Sequence, residues 1–197
     1  MKDIDGNQYT SVIIGNQEWT VENLQVTHYN NGDIIPNVTD NSQWSSLTTG
    51  AWCYYNNDSQ YNIPYGKLYN WYTVNDPRGV APAGWHIPTY TEWMTLINYL
   101  GGDSIAGGKL KEVGTSHWLQ TENNITNSTC FIGLPAGERN YNISTPFFMM
   151  GYLGCWWSSS NAGINGYYNF SVSDNNSYTS IGESPGPEGY SIRCIKN

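Results

Sequence analysis

Four cysteines, three histidines and a thin scatter of carboxylates are the residues in this sequence that could do chemistry. Cys53, Cys130, Cys155 and Cys194 include no CxxC pair, the spacing that a zinc site or a thioredoxin-type redox motif uses. Four cysteines allow three pairings or none. Cys130 and Cys155 each open a strand-like stretch, "CFIGL" and "CWWSS", and are the pair best placed for a cross-strand disulfide; buried free thiols are the alternative. His28, His86 and His117 lie at no metal-binding spacing from one another. No GxSxG, HExxH or P-loop pattern occurs. Oxygen ligands are present at Asn56, Asn57, Asp58, Glu183 and Glu188, but scattered, and calcium needs several that converge. The expectation is a chain without catalytic residues or cofactor, with a structural calcium ion compatible with its oxygens.

The other chemistry on offer is recognition. "CWWSSS" at 155–160 is followed by "NAGINGYYNFSVSDNNSYTS", which is small, polar and almost uncharged. Read as a strand, "YYNFSVS" alternates, with Tyr168, Phe170 and Val172 pointing in and Tyr167, Asn169, Ser171 and Ser173 pointing out. With Asn161, Asn165, Asn175, Asn176 and Tyr178, the outward set is expected to form one contiguous, exposed ligand-binding face. Tyr, Ser and Asn dominate antibody paratopes, where Tyr gives large contact area at low entropic cost and Ser and Asn adapt their hydrogen bonds. An ordinary solvated loop is the plainer reading. Trp156 and Trp157 are expected to anchor the scaffold, one of them partly exposed, with Trp85 and Trp93 as further structural aromatics.

Composition limits the partners. Charged residues are 12% of the 197, about half the usual share, and the net charge is −8 with no Lys/Arg cluster. That balance argues against nucleic acid and anionic membranes as partners. No apolar run reaches the ~20 residues of a membrane helix, and "MKDIDGNQYTSV" has no apolar signal-peptide core. Neutral polar residues must carry solubility. The expected setting is extracellular, on a cell surface or on a virion, with a macromolecular partner, protein or glycan.

The elements that would position these residues are short. "YTSVIIGNQEWTVENL" reads as a hairpin turning at Gly15-Asn16. Residues 28–62 read as an Asn-rich surface excursion around Trp44 and Trp52. "YGKLYNWYTVND" suggests a short helix with Leu68, Trp71 and Tyr72 on one face. "HIPTYTEWMTLINYLGG" carries the strongest helix signal: Thr89 as N-cap, Glu92 completing a capping box, apolar residues at helical spacing, and Gly101-Gly102 as the stop. After residue 128, "TCFIGLPAGERN", "GCWWSSS", "GYYNFSVS" and "YSIRCIKN" read as strands. The whole implies a single α+β domain over 1–197, with the display segment at about 158–190.

The motifs "WTVENL", "CYYNND", "YGKLYNWYTVND", "GWHIPTYTEW", "GGKL", "GLPAGER", "WWSSS" and "GYSIRC" resemble, in order and spacing, the Fibrobacter succinogenes major paralogous domain family. The resemblance runs from about Asp3 to Ile195. It implies a C-type lectin-like fold, with short helices on a small twisted antiparallel sheet, long irregular loops, and kinship to the formylglycine-generating enzymes. In that fold the terminal strands pair and loops between late strands carry ligands. "FIGL" (131–134) is similar to the WIGL strand of C-type lectins. Members commonly carry a cysteine just before GWH; "GVAPAGWH" has none, so Cys194 lacks that partner. The calcium-binding EPN, QPD and WND triplets of lectins are absent, and the cysteines lack the flanking pattern of the sulfatase-modifying active site. A binding module is therefore expected ahead of a formylglycine-generating type of enzyme or a calcium-assisted lectin. Some proteins of this fold are variable targets of diversity-generating retroelements, and residues 160–182 resemble such a segment. That resemblance implies a template repeat beside the gene, differing only at adenines.

Overall fold

Among the described residues twelve strands and five short α-helices follow the chain, and the long irregular connections between them carry much of the packing. The structure, a computed structural model, describes residues 1–120 and 124–197, with the backbone alone at Asn165. The strands are β1 (Ser11–Ile14), β2 (Gln17–Thr20), β3 (Trp52–Cys53), β4 (Leu68–Asn70), β5 (Trp85–His86), β6 (Glu138–Arg139), β7 (Phe147–Phe148), β8 (Leu153–Asn161), β9 (Tyr167–Ser173), β10 (Thr179–Ser184), β11 (Gly189–Tyr190) and β12 (Ile195–Lys196). The helices are α1 (Asn41–Ser45), α2 (Asn62–Tyr65), α3 (Trp71–Val74), α4 (Tyr90–Tyr99) and α5 (Asp103–Leu110). The strands form three antiparallel sheets, ordered β1-β2-β12-β5, β10-β9-β8 and β3-β4-β11-β6-β7. The architecture is thus α+β, with small antiparallel sheets and a few short helices.

Sheet β10-β9-β8 separates two aromatic cores. Along β8, Cys155 and Trp157 enter a core with Trp52, Tyr69, Trp71 and Tyr190. Trp156, between them, enters the other with Trp19, Trp93, Phe131, Phe170 and Val172. Strand alternation here sorts residues between two interiors rather than between interior and solvent. Both tryptophans are fully buried, which corrects the expectation that one would reach the surface. Their indole N–H groups are used: Trp156 donates to Asn23 Oδ1 at 2.8 Å and Trp157 to the Tyr69 carbonyl at 2.7 Å. Trp93 stacks on Phe170 at 4.4 Å between ring centroids. Trp85 is half-buried against the first core.

The strongest sequence signal is realised in full. Thr89 accepts from the Glu92 N–H, and Glu92 Oε2 accepts from the Thr89 N–H, completing the capping box of α4. Trp93, Leu96 and Ile97 are its buried face.

Three other expectations are corrected. The 28–62 stretch is not only surface: Trp44, Ala51 and Cys53 form a third core with Val38 and Leu68. In "YGKLYNWYTVND" the residues Leu68–Asn70 form β4, and the helix begins only after Asn70, whose side chain caps Thr73 N. "FIGL" is not a strand: Ile132 sits at φ 51°, and only Gly133 makes an isolated bridge, to Lys111.

Helix α5, unexpected in "DSIAGGKL", is glycine-rich for a packing reason. A Cβ on Gly107 would stand 2.5 Å from the Tyr178 carbonyl oxygen, and one on Gly108 2.8 Å from the Asn124 carbonyl oxygen. The glycines let α5 seat directly on the β9–β10 turn, at a cost of about 1 kcal/mol each in helix propensity.

Basic side chains mostly serve the backbone. Of eight Lys and Arg, Lys67, Lys109, Lys111, Arg139 and Arg193 donate to main-chain carbonyls. Ion pairs with carboxylates are left to Arg78 and Lys196 among the described residues. Cations so committed neutralise few carboxylates, and the chain's negative charge stays largely uncompensated.

Candidate binding surfaces

The thiols do not converge. Cys155 is buried in the first core and Cys130 is exposed, at φ 57°, and all four cysteines are free. The expected Cys130–Cys155 bridge is therefore corrected: "CFIGL" is no strand, so nothing carries Cys130 alongside β8. Burial pushes the Cys53 thiol up to about 11 and Cys194 to about 12, and raises Cys155 well above its ordinary value. Such thiols are protonated and poor nucleophiles at neutral pH. Each imidazole is tied to a carboxylate: His28 to Asp5 at 2.6 Å, His86 to Glu92 at 2.8 Å and His117 to Glu112 at 2.8 Å. No group of three or more His, Cys, Asp or Glu positioned to hold a metal occurs among the described residues. Nor, among them, is any helix long and apolar enough to cross a membrane.

The residues assigned to one recognition face are spread over β9 and the connections at its two ends. Asn161 is exposed at the β8–β9 connection, and Tyr167 lies at its root. Asn175 and Tyr178 are exposed, and Asn176 half-buried, at the β9–β10 turn. The seven residues of β9 separate the two ends by roughly 20 Å at ~3.3 Å per residue. The set is thus spread along β9 rather than gathered at one end of the sheet, because successive antiparallel connections sit at opposite ends. Ser171 and Ser173 are half-buried on the strand between. Asn169 is buried, at 7% exposure, which corrects its assignment as a contact residue. It accepts from Cys155 Sγ at 3.5 Å and donates to Ser184 Oγ at 2.9 Å, a polar bracket across three strands. The side chain of Asn165 lies outside the described residues. The serines after the Trp pair are also partly structural. Ser159 N donates to the Pro88 carbonyl, and Ser160 Oγ caps the Tyr90 N–H, so β8 is clasped to the start of α4.

The β8–β9 connection is where apolar and aromatic groups face solvent from a rigid base. Ile164 at its tip is completely exposed, at 103%. At its root Tyr167 stacks on Trp71, with centroids 3.5 Å apart and planes within 9°. On the opposite face Tyr168 packs on Tyr90 at 4.6 Å. The rings are half-buried and held from beneath, so a partner would order few of them on binding. The sequence pattern places Tyr167 outside and Tyr168 in the interior; both are half-buried, and Tyr167 packs against the first core.

A second feature has no sequence signal. β6 pairs with β11 through Arg139 and Gly189, and with β7 through Glu138 and Phe148. That register puts Glu138, Glu188, Tyr190 and Phe148 on one face of their sheet, turned toward Cys155, while Arg139 points to the reverse face against Trp44 and Phe147. Glu188 is buried, at 6% exposure, and its Oε2 has no hydrogen-bond partner. Burial, with the neighbouring Glu138 charge, pushes the Glu188 carboxyl up to about 8; burial also raises Glu138. Fifty residues separate the two in sequence, and only the strand register joins them.

The raised acid fixes a pH dependence. Unfolded, Glu188 loses its proton near 4.5; folded, it keeps it to about 8. The folded state thus binds more protons in that window, and stability falls as pH rises through it. Glu188→Gln is expected to remove that fall. Thermal melts of both proteins at pH 5 to 9 check it: the variant should gain on the parent steadily above pH 5, and parallel profiles reject the assignment.

The sequence model of the Fibrobacter succinogenes major domain matches residues 12–196. No curated protein and no solved structure matches the chain significantly. The matched span includes every strand from β2 to β12 and both surfaces described above, so the chain belongs to the Fibrobacter succinogenes major domain family.

Proposed function

We propose that this domain is a non-catalytic binding module of C-type lectin-like architecture. Its partner is a macromolecule, protein or glycan, on a cell or particle surface. The observation that carries this is the β8–β9 connection, where Ile164 projects fully into solvent above tyrosines braced by Trp71 and Tyr90. Pre-ordered aromatic rings beside small polar residues are the composition of effective recognition surfaces. Pairing of β2 with β12, and a loop between late strands as the exposed element, support the lectin-like reading. Protonated, buried thiols at Cys53, Cys155 and Cys194 disfavour a formylglycine-generating type of enzyme, and the lack, among the described residues, of three or more grouped His, Cys, Asp or Glu disfavours calcium-assisted sugar binding. Retroelement diversification, on this reading, would act at exposed positions such as Asn161, Asn175 and Tyr178 and spare Asn169.

The test is a binding screen of the labelled domain on arrays of glycans and of surface-protein ectodomains. Ile164→Asp and Tyr168→Ala should weaken a genuine hit by about 30-fold, equivalent to ~2 kcal/mol, without lowering the melting temperature appreciably. Hits that survive both substitutions place the partner elsewhere and overturn the proposal.

A further inference from the structure

The acidic face of β6 and β11 belongs to a different sheet from the β8–β9 connection and asks for its own ligand. Four observations bear on it. Glu138 and Glu188 are diagonal neighbours on adjacent strands, a spacing of roughly 7–8 Å between backbone positions. Among the described residues no Lys, Arg or His pairs with either. Glu188 Oε2 is buried and unpartnered, an arrangement that ordinarily costs stability unless something fills it. Beside the pair stand two exposed rings: Phe148, directly opposite Glu138 on β7, and Tyr141, whose backbone amide reaches Glu188.

We infer that Glu138 and Glu188 form a receptor for a cationic side chain, a lysine or arginine presented by a protein partner, with Phe148 and Tyr141 as its aromatic rim. Carboxylates supply charge-assisted acceptors for the ammonium or guanidinium, and the ring faces attract the same charge. A divalent metal fits less well. Calcium takes six to eight oxygens, and only two carboxylates are offered here. Five of the protein's eight Lys and Arg are spent on backbone carbonyls, and its negative charge favours a basic partner from a distance.

The charge state of the pair should set the affinity. The groups facing Glu188 are Glu138 from β6, Cys155 from β8 and Tyr190 from β11, each shifted toward its protonated form. Arg139 lies behind the sheet. A cation favours the ionised pair, so binding should strengthen several-fold between about pH 6.5 and 8.5, while a lysine stays charged throughout.

The experiment is an amide-shift titration of the isotope-labelled protein with the blocked tripeptides Gly-Lys-Gly and Gly-Arg-Gly. Gly-Glu-Gly and millimolar calcium are run beside them. The expected result is saturable movement of the Glu138, Cys155 and Gly189 amides with the basic peptides only. That response should be lost in Glu138→Gln with Glu188→Gln and kept in Glu183→Gln, an exposed carboxylate on β10. Wild-type protein showing no saturable response at those amides overturns the inference, whatever the variants do. So does a response to calcium alone, which would make the pair a metal site. Loss of the hairpin-root partner with this response intact would leave the inference standing, so the two surfaces can fail separately.

Discussion

Trp157→Ala is expected to destabilise the protein by ~3–5 kcal/mol, the range for a large aromatic removed from a packed core. The ring has no solvent exposure and packs on Tyr190 at 4.6 Å. Its N–H leaves the Tyr69 carbonyl without that donor when removed, and its own carbonyl accepts from the Trp93 indole at 3.4 Å, joining the two cores. Few neighbours can collapse into the space, because strands of two sheets meet there. A loss of this size is a large share of a typical domain's stability. Urea unfolding of the variant decides it, and a change below about 1 kcal/mol would show that the pair does not anchor the sheets.

A comparable loss is expected for Arg193→Ala. The guanidinium is buried and donates to four acceptors: Asn23 Oδ1 at 2.6 Å and the carbonyls of Thr20, Phe131 and Ile132 at 2.9, 2.9 and 3.1 Å. It lies 4.5 Å from the Phe131 ring centroid. Burial pushes its pKa down to about 9, still above neutrality, so the group is charged and its charge is met by carbonyl dipoles. Truncation orphans several buried acceptors at once, and a cost of about 3–5 kcal/mol follows. Arg193→Lys is the informative companion. An ammonium cannot reproduce the planar fork, so it should recover less than half of the loss. Full recovery by lysine would mean that charge alone, rather than directed donors, matters at this position.

The sequence was most readable where local chemistry sets structure. Thr89 and Glu92 announced α4, and the Gly15-Asn16 turn announced the first hairpin. It was readable again where long motifs marked the family. It misled where both faces of a strand are covered. Asn169 looks like a solvent residue in "YYNFSVS", and its burial depends on Ser184 and Cys155, which no local pattern connects to it. "FIGL" has strand-like composition, but Cys130 and Ile132 adopt positive φ under tertiary constraint. The acidic pair was invisible for a similar reason: Glu138 and Glu188 meet through the register of two-residue strands, too short to show any period.

The place of β12 in its sheet has a consequence for how the molecule is made. It lies between β2 and β5, and Thr20 and Cys194 exchange hydrogen bonds. On the ribosome the β1–β2 hairpin emerges before the rest of this domain, yet Trp19 has no partner at Ile195 until almost all of the matched region has been synthesised. Closing so long a loop adds little to the equilibrium cost, since each doubling of length adds only ~0.6 kcal/mol. It does delay the event, because distant contacts are the slow ones to form. Completion of this fold is therefore a late step, and a nascent chain rich in aromatic residues must be kept out of trouble until its closing strand arrives.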